Sequence, residues 1–261
     1  NLYYTRNSYE VTYEYEGTIP ASASAVPGKV SYKYGAEVTV AGAATAPGYT
    51  FSGWDRTGTF AMPAEDVVIK GSFTANTDTV YQVEHYKQNL EDDGFTLAET
   101  ERGLKGTTDT TATAVPKGYD GFTYDPGVEG TIISGIITGD GKLVLKLFYT
   151  RNSYKVTYKY NGSVPVDAST LPGEETYKYG AAVSVATDAT AVGHTFSGWD
   201  KEDFTMPAEN VEITGSFTKN EYGYTVNYYK DSITLENTLG SDSAKGIFGN
   251  DIPYEDGKYL P

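Results

Sequence analysis

Alternation of apolar and polar residues marks the strands of this chain. From residue 9 to residue 15 the odd positions hold Tyr, Val, Tyr and Tyr, while the even positions hold Glu, Thr and Glu. A period of two is typical of a strand with one buried face. Residues 154–160 repeat the pattern, but Lys replaces both Glu residues. Since the polar face accepts a reversal of charge, we expect that face to be solvated.

Further strand signals follow along the chain, and helix signals are weak throughout. Residues 143–149 place Leu, Leu, Leu and Tyr at alternate positions, which predicts a strand that runs almost directly into the next segment. The pair Asn161-Gly162 directly follows the alternating residues 154–160, and both residues accept the positive φ of a type I′ turn. It predicts a tight hairpin with a second strand near 183–185. The expected fold class is mainly β, with α+β as the upper limit on helix content.

Internal repetition decides the domain organisation. The run Tyr-Thr-Arg-Asn-Ser-Tyr at residues 4–9 recurs at 149–154, and Trp54 recurs as Trp199. The spacing is therefore 199 − 54 = 145 residues. A second kind of unit lies between these copies, because Tyr-Gln-Val-Glu-His-Tyr-Lys at 81–87 returns as Tyr-Thr-Val-Asn-Tyr-Tyr-Lys at 224–230. Two types of module alternate.

The predicted partition gives four modules and a leading strand. We name them module A1 (9–76), module B1 (77–150), module A2 (151–220) and module B2 (221–261), the last being truncated. Residues 1–8 match the end of a B-type module, so we expect them to be the last strand of a preceding one. The chain is interpreted as a section of a longer protein.

Composition narrows the possible functions. The chain has 261 residues with 20 basic and 35 acidic side chains, a formal net charge of −15, and 24 Tyr. Such a charge repels phosphate backbones and anionic lipid surfaces, so nucleic acid is not an expected partner. Membrane insertion is not expected either, because the chain has no run of about 18 apolar residues. The chain has no Cys, which excludes a disulfide framework or a thiolate zinc site. Neither end has the pattern of a signal peptide or an anchor.

The connections between modules predict a stiff array. Modules of about 70 residues bury little surface, and these lack disulfides, so docking onto neighbours should stabilise them. The connections at 150–153 and 218–221 are short and contain neither Gly nor Pro, unlike flexible linkers. We therefore expect an elongated row of modules.

Two known families share the motifs of these modules. The Tyr-x-Val-x-Tyr opening of A1, its Gly-Tyr-Thr-Phe-Ser-Gly-Trp block at 48–54 and its closing strand at 67–73 resemble Listeria-Bacteroides or internalin B-type repeats. B1, with Val83, Tyr86, a Gly-Tyr at 118–119 and its ending at 141–149, resembles mucin-binding-protein (MucBP) repeats. The resemblance implies small β-grasp-like folds in cell-wall proteins of Gram-positive bacteria, where they form stalks or adhesive arrays. It implies an extracellular, wall-attached protein, with attachment through regions outside this chain.

No residue pattern indicates catalysis or a cofactor. The two histidines, His85 and His194, stand where the sister modules carry Tyr228 and Tyr49, so we interpret both as occupants of aromatic positions. No hydrolase, metalloprotease, phosphate-loop or EF-hand motif is present. The expected protein is not an enzyme, and no metal site or cofactor is predicted.

Some weaker chemical alternatives stay open. The acidic runs 91–93 and 202–203 have the ligand type of a weak Ca²⁺ site, although such runs are more often solvated. An isopeptide bond needs a lysine buried beside a carboxylate, and nothing in the spacing selects one. The candidates are Lys33, Lys87, Lys178 and Lys230.

Trp54 and Trp199 are the candidate ligand-binding residues. The face of an indole stacks on sugar rings, and both residues follow a Phe-Ser-Gly run in the middle of a module. The same setting suits a ring that packs over the module core, and we favour that interpretation. A structural or adhesive stalk is therefore the first hypothesis. The alternative is a module that binds glycan, mucin or extracellular matrix through exposed Tyr and Trp.

The two ends of the chain predict an association between copies. Residues 1–6 match the last strand of module B1, and module B2 lacks that strand. An open sheet edge recruits a matching strand. We expect residues 2–4 of one molecule to lie against B2 of another, in an open head-to-tail row.

Overall fold

The computed structural model describes residues 1–254, and its regular structure is almost all β-strand. Among the described residues the only helical element is the single 3₁₀ turn Leu235–Asn237. The mainly β prediction is confirmed. The described residues form two compact units, one of Asn1–Tyr119 with Thr123–Thr150 and one of Asp120–Phe122 with residues 151–254.

Module A1 is built on a mixed four-stranded sheet. Its strands are β1 (Ser8–Glu16), β2 (Val30–Lys33), β3 (Glu37–Thr39), β4 (Tyr49–Phe51), β5 (Thr59–Ala61) and β6 (Val67–Ala75). The sheet order is β2-β1-β6-β4, in which β1 and β6 are parallel and the outer pairs are antiparallel. A parallel central pair with antiparallel flanks is the arrangement expected of a β-grasp-like sheet. Strands β3 and β5 form a separate small ladder.

Module B1 repeats this plan, and its first two strands are longer than those of A1. They are β7 (Thr79–Gln88), β8 (Phe95–Gly106), β9 (Thr111–Thr113), β10 (Phe122–Tyr124), β11 (Ser134–Ile136) and β12 (Val144–Arg151). The sheet order is β10-β12-β7-β8, with β12 parallel to β7, and β9 pairs with β11 apart from it. Only Asn152 separates β12 from the next strand, as the alternating pattern at 143–149 predicted.

The second unit repeats the A-type sheet. Its strands are β13 (Ser153–Asn161), β14 (Glu175–Lys178), β15 (Ala182–Val183), β16 (His194–Phe196), β17 (Phe204–Thr205) and β18 (Val211–Lys219). The order is β14-β13-β18-β16, with β13 parallel to β18. The described part of module B2 is the antiparallel hairpin of β19 (Glu221–Tyr229) and β20 (Thr238–Ile247).

The tight hairpin predicted at Asn161-Gly162 is wrong. Gly162 does have a positive φ of 74°, but the partner strand begins only at Glu175. Glu175 pairs with Val156, close to the start of β13. The chain must therefore return along most of β13 before pairing begins, and a long loop does this where a two-residue turn does not. The predicted strand near 183–185 exists as β15, but it pairs with β17.

The inward positions predicted from the alternation are confirmed. In A1 the core contains Val11 with Ile69, and Tyr9, Tyr13 and Tyr15 pack against it. In B1 the alternate positions Leu145, Leu147 and Tyr149 are fully buried. Each sheet therefore covers its own small core.

Tyrosine hydroxyls fasten the long loops of A1 to its sheet. The Tyr15 hydroxyl donates to the carbonyl of Ser24 at 2.8 Å, and the Tyr13 hydroxyl accepts from the N–H of Ala41 at 2.8 Å. The rings contribute to the core while the hydroxyls satisfy loop backbone, which explains the choice of Tyr over Phe. The same bonds recur in A2 between Tyr160 and Ser169 and between Tyr158 and Ala186.

Residues 1–7 lie outside any strand, and β1 begins at Ser8. The side chains of Leu2, Tyr3 and Tyr4 are exposed. The interpretation of residues 1–8 as the strand of another module, the other module boundaries and the head-to-tail association of copies all stay predictions. Among residues 1–254, no helix is long and apolar enough to cross a membrane.

Candidate functional site: the module junctions

Trp54 belongs to the aromatic core of module A1. Its indole is 7% exposed, and its Nε1 donates to the carbonyl of Gly42 at 2.9 Å. Its ring stacks on Tyr15 at 5.7 Å between centroids and meets Phe51 edge-on at 5.0 Å. A Cβ on Gly71 would lie 2.5 Å from Phe51, so a glycine makes room for the cluster.

Trp199 repeats this arrangement in module A2. Its ring stacks on Tyr160 at 5.7 Å and meets Phe196 edge-on at 4.9 Å. Its Nε1 donates to the carbonyl of Thr187 at 3.2 Å, and its side chain is half-buried. Two copies with the same contacts favour a packing role for both tryptophans.

The surface beside Trp54 offers little room for a ligand. A groove of about 210 Å³ borders the ring, between Val40, Arg56 and Thr57. Sites for drug-sized ligands usually enclose roughly 300–1,000 Å³. Glycan binding by Trp54 and Trp199 stays a prediction, and the burial of Trp54 argues for the structural alternative.

His85 joins a buried hydrogen-bonded network in module B1. Its Nδ1 lies 2.9 Å from the Tyr149 hydroxyl, and its Nε2 lies 2.8 Å from a carboxylate oxygen of Glu101. The Tyr149 hydroxyl also accepts the N–H of Lys117 at 3.0 Å. A neutral imidazole satisfies the set when Tyr149 donates to Nδ1 and Nε2–H donates to Glu101. His85 is therefore more than an aromatic occupant. Its two nitrogens bond Tyr149 of β12 and Glu101 of β8, and both of those residues also contact Lys117.

This network predicts a response to acid. The hydrogen bond from His85 and the Lys117 ammonium lower the pKa of Glu101. The stabilising contribution of Glu101 is therefore complete above the ordinary carboxyl pKa of roughly 4.3 and is lost as the pH falls through the lower folded-state value. We expect Glu101→Gln to lower the melting temperature of module B1 at neutral pH and to flatten its decline below about pH 4. Thermal scans from pH 2 to pH 7 test this. Glu91→Gln, at an exposed position, is the control, and equal flattening by both variants would contradict the assignment.

The acidic runs do not gather into a metal site. In the described part of the chain no three His, Asp or Glu side chains lie close enough together to hold a metal ion. Asp92 instead accepts hydrogen bonds from Asn89 Nδ2 and the N–H of Gly94, each at 2.7 Å, which is a turn-capping role.

Of the candidate lysines for an isopeptide bond, Lys87 has its Nζ 3.8 Å from the ring centre of Tyr119.

Two backbone hydrogen bonds through one asparagine join modules A1 and B1 inside the first unit. We call this arrangement the junction relay. Asn76, which precedes β7, donates its N–H to the carbonyl of Gly48 at 2.9 Å and accepts the N–H of Thr108 at 2.9 Å. Asn76 Oδ1 also accepts the hydroxyl of Thr50 at 2.7 Å. The backbone N–H of Asn76 is thus bonded to A1, and its backbone carbonyl is bonded to B1. Free rotation at Asn76 would break these bonds.

The A1–B1 junction is also closely packed. Gly48 has a φ of +76°, and a Cβ there would lie 2.4 Å from the Cα of Gly139. Thr108, which is 3% exposed, donates its hydroxyl to the Gly48 carbonyl at 2.8 Å and lies 2.7 Å from the hydroxyl of Thr79. The Tyr49 hydroxyl donates to the carboxylate of Asp109. A glycine is required here because the two backbones nearly touch.

The same relay joins module A2 to β19–β20 inside the second unit. Asn220 donates its N–H to the Gly193 carbonyl at 2.8 Å and accepts the N–H of Phe248 at 2.9 Å. Thr195 donates its hydroxyl to Asn220 Oδ1 at 2.5 Å. The side chains differ, because Phe248 stands in place of Thr108 and contacts His194 at 5.7 Å between ring centroids. His194 is thus a junction residue.

A third relay lies wholly among residues of the second unit. Asn152 donates its N–H to the Gly121 carbonyl at 2.9 Å and accepts the N–H of Tyr179 at 2.8 Å. Gly121 has a φ of +75°, and a Cβ on it would lie 2.2 Å from the ring of Tyr179. Three junctions therefore share one design: a left-handed glycine, an asparagine and the first residue of a turn in the following module.

Sequence reasoning placed Asn152 and Asn220 in the connections but did not identify Asn76 or the junction glycines. Two signals were available in the sequence. A Gly followed by Tyr, Phe or His and then Thr recurs at 48–50, 121–123 and 193–195. An asparagine stands immediately or shortly before the first strand of each module, at positions 7, 76, 152 and 220. Each signal is only one to three residues long, so it does not stand out beside the strand pattern.

Comparison with known proteins identifies the A-type modules. A family model described as the Listeria-Bacteroides repeat domain matches residues 9–81 and 154–220, more than half of the chain. The resemblance stated for the A-type modules is confirmed. The resemblance of the B-type modules to mucin-binding-protein repeats stays a prediction.

One solved structure similar to this chain is that of Streptococcal High Identity Repeats in Tandem (SHIRT) domains 3-4 from a cell surface protein. The two chains are 13% identical, the alignment covers 80% of this chain and 96% of that one, and the TM-score is 0.20. No curated protein matches the chain.

Proposed function

Since the chain belongs to the Listeria-Bacteroides repeat domain family, we propose that it is a structural repeat region of a bacterial cell-surface protein. It acts as a stiff, extended stalk that holds an adhesive region away from the cell. The protein is extracellular and attached to the cell wall through regions outside this chain. The role is mechanical and involves no catalysis.

The observation that carries this proposal is the bonding at Asn76 and Asn220. A flexible linker leaves its peptide groups to water, whereas each of these residues bonds through both its N–H and its carbonyl to the adjacent modules. Bending at such a junction costs hydrogen bonds that water must replace. A stalk that keeps its length needs this property at every junction.

Solution scattering tests the proposal. One compact globule of 261 residues has a radius of gyration of about 18 Å by the usual scaling. We expect a value well above that for a row of stiff modules. A radius near 18 Å would contradict the stalk. Measurements at several salt concentrations serve as the control, because a charge of −15 expands a flexible chain by self-repulsion, and added salt screens that effect.

Ligand binding is the second candidate function. Host mucin, other glycans and extracellular matrix are the candidate partners, through surface Tyr and Trp. Trp199 is the better candidate of the two tryptophans, since it is half-buried while Trp54 is buried. Titration of the chain against mucin and a glycan panel tests this function, and Trp199→Phe, which keeps an aromatic ring in the core, separates binding from packing.

A further inference from the structure

A polar and aromatic patch lies exposed at one end of module A1. It consists of Arg6, Asn7, Tyr34 and Gly35, and we name it the A1 end patch. Tyr34 is 53% exposed and donates its N–H to the Asn7 carbonyl at 2.9 Å. Gly35 follows with a φ of +71°. These residues correspond to the asparagine and the following turn of the junction relay, with the asparagine carbonyl bonded to the first residue of the turn.

Module A2 carries the same four residue types, and there the asparagine N–H is bonded as well. They are Arg151, Asn152, Tyr179 and Gly180, and all four are half-buried. Within the second unit they meet residues 120–122. The Asn152 N–H donates to the Gly121 carbonyl at 2.9 Å, and the ring of Tyr179 lies 5.8 Å from that of Phe122.

The contacts in A2 define the chemistry that the patch accepts. The occupant must present a carbonyl to the Asn7 N–H and a residue without Cβ to the Tyr34 ring, because Gly121 meets Tyr179 at a distance that no side chain allows. It must also present an aromatic ring to Arg6, since the Arg151 guanidinium lies 4.8 Å from the ring centre of Phe122. A left-handed glycine followed by Phe meets all three requirements.

Residues 1–6 indicate which module supplies that turn. Leu2, Tyr3 and Tyr4 are 86%, 88% and 90% exposed. They correspond to Leu147, Phe148 and Tyr149 of β12, of which Leu147 and Tyr149 are fully buried in B1. Such an apolar strand is stable when a B-type body covers it. The covering body would then carry its own copy of the Gly-Phe turn.

From these contacts we propose that the A1 end patch docks the Gly-Phe turn of a B-type module whose last strand is residues 1–6. This inference rests on the proposed stalk and adds the partner of one specific surface. The junction forms as the Asn152 relay does, with Asn7 at its centre.

A chain extended at its N-terminus tests the inference. Residues 77–145 are placed before Asn1, so that Asn1 takes the position of Lys146 after Leu145. Amide hydrogen exchange at Asn7 is then measured by NMR in the extended and the original chain. We expect the Asn7 amide to slow to within about tenfold of the Asn152 amide, which is the internal reference.

Two variants in the added segment sharpen the test. Gly121→Ala there should restore the fast exchange of Asn7, because a Cβ would strike the Tyr34 ring. Gly103→Ala is the matched control, since Gly103 has a φ of +68° and a Cβ on it meets nothing within 4 Å. It should leave Asn7 slow.

Three results would overturn the inference. The first is unchanged Asn7 exchange beside a folded added segment. The second is an added segment that stays unfolded, because residues 1–6 are proposed to complete it. The third is protection of Asn7 in the original chain that grows with protein concentration, which would assign the patch to a second copy. The radius of gyration of the original chain tests the stalk independently of all three.

Discussion

Trp54→Ala is expected to destabilise module A1 by roughly 3–5 kcal/mol, the usual cost of removing a large aromatic side chain from a core. The indole is 7% exposed and contacts Tyr13, Tyr15 and Phe51, so its loss leaves a cavity bordered by rings. A small module has little stability in reserve. The variant should therefore unfold A1 near room temperature.

Chemical denaturation followed by tyrosine fluorescence and by NMR of A1 resonances measures this effect. Tyr3→Ala is the matched control, because Tyr3 is exposed and its removal should change the stability by less than about 0.5 kcal/mol. Trp199→Ala should act on the second unit instead, where the same cluster recurs. A Trp54→Ala protein that keeps its stability but loses affinity for a glycan would reverse the assignment of this residue.

The strands could be predicted from the sequence because burial on one face of a sheet imposes a period of two. Tyr9, Val11 and Tyr13 meet in one core, as their alternation required. The 145-residue repeat likewise sufficed to identify the two A-type modules, since the same residues in the same order form the same sheet.

The pairing of strands was harder to predict because it depends on contacts distant in sequence. Asn161-Gly162 has the local conformation of a turn, but β13 takes β18 as its parallel neighbour and meets β14 only near its start. A two-residue signal does not contain that information. The hydrogen-bonded network at His85 was not predicted for the same reason, because its partners Glu101 and Tyr149 are 16 and 64 residues away along the chain.

Stiff junctions were predicted from the sequence, and this prediction was based on the absence of Gly and Pro from the connections. The structure places the decisive glycines elsewhere. Gly48 and Gly193 lie in the preceding module, far along the chain from the connecting Asn76 and Asn220, and they allow the close approach that the relay requires. The proposed stiffness at these sites therefore rests on packed glycine as well as on the missing linker glycine.

Gly48→Ala should therefore loosen the A1–B1 junction. A Cβ at Gly48 would lie 2.4 Å from the Gly139 Cα and 2.7 Å from the Thr108 hydroxyl, so the backbones must separate. The three bonds that link Gly48, Asn76 and Thr108 depend on that approach. Overpacking of this kind costs about 1–3 kcal/mol.

Gly17→Ala is the matched control for backbone strain. Gly17 has a φ of +75°, against +76° for Gly48, and a Cβ on it meets nothing within 4 Å. Both variants carry the conformational cost of an alanine at positive φ, roughly 1–2 kcal/mol, but only Gly48→Ala carries the clash. The difference between the two variants isolates the junction.

Spin labels at Thr57→Cys and Glu129→Cys give the measurement, since the chain has no other cysteine and both positions are exposed. The original protein and Gly17→Ala should give one narrow distance distribution between A1 and B1. Gly48→Ala should give a broad one, together with faster amide exchange at Asn76 and Thr108, while the β7–β8 amides of B1 stay protected. Equal distributions in all three proteins would mean that the glycine contact does not hold the junction. That outcome would also remove the bonding at Asn76 as support for the proposed stalk.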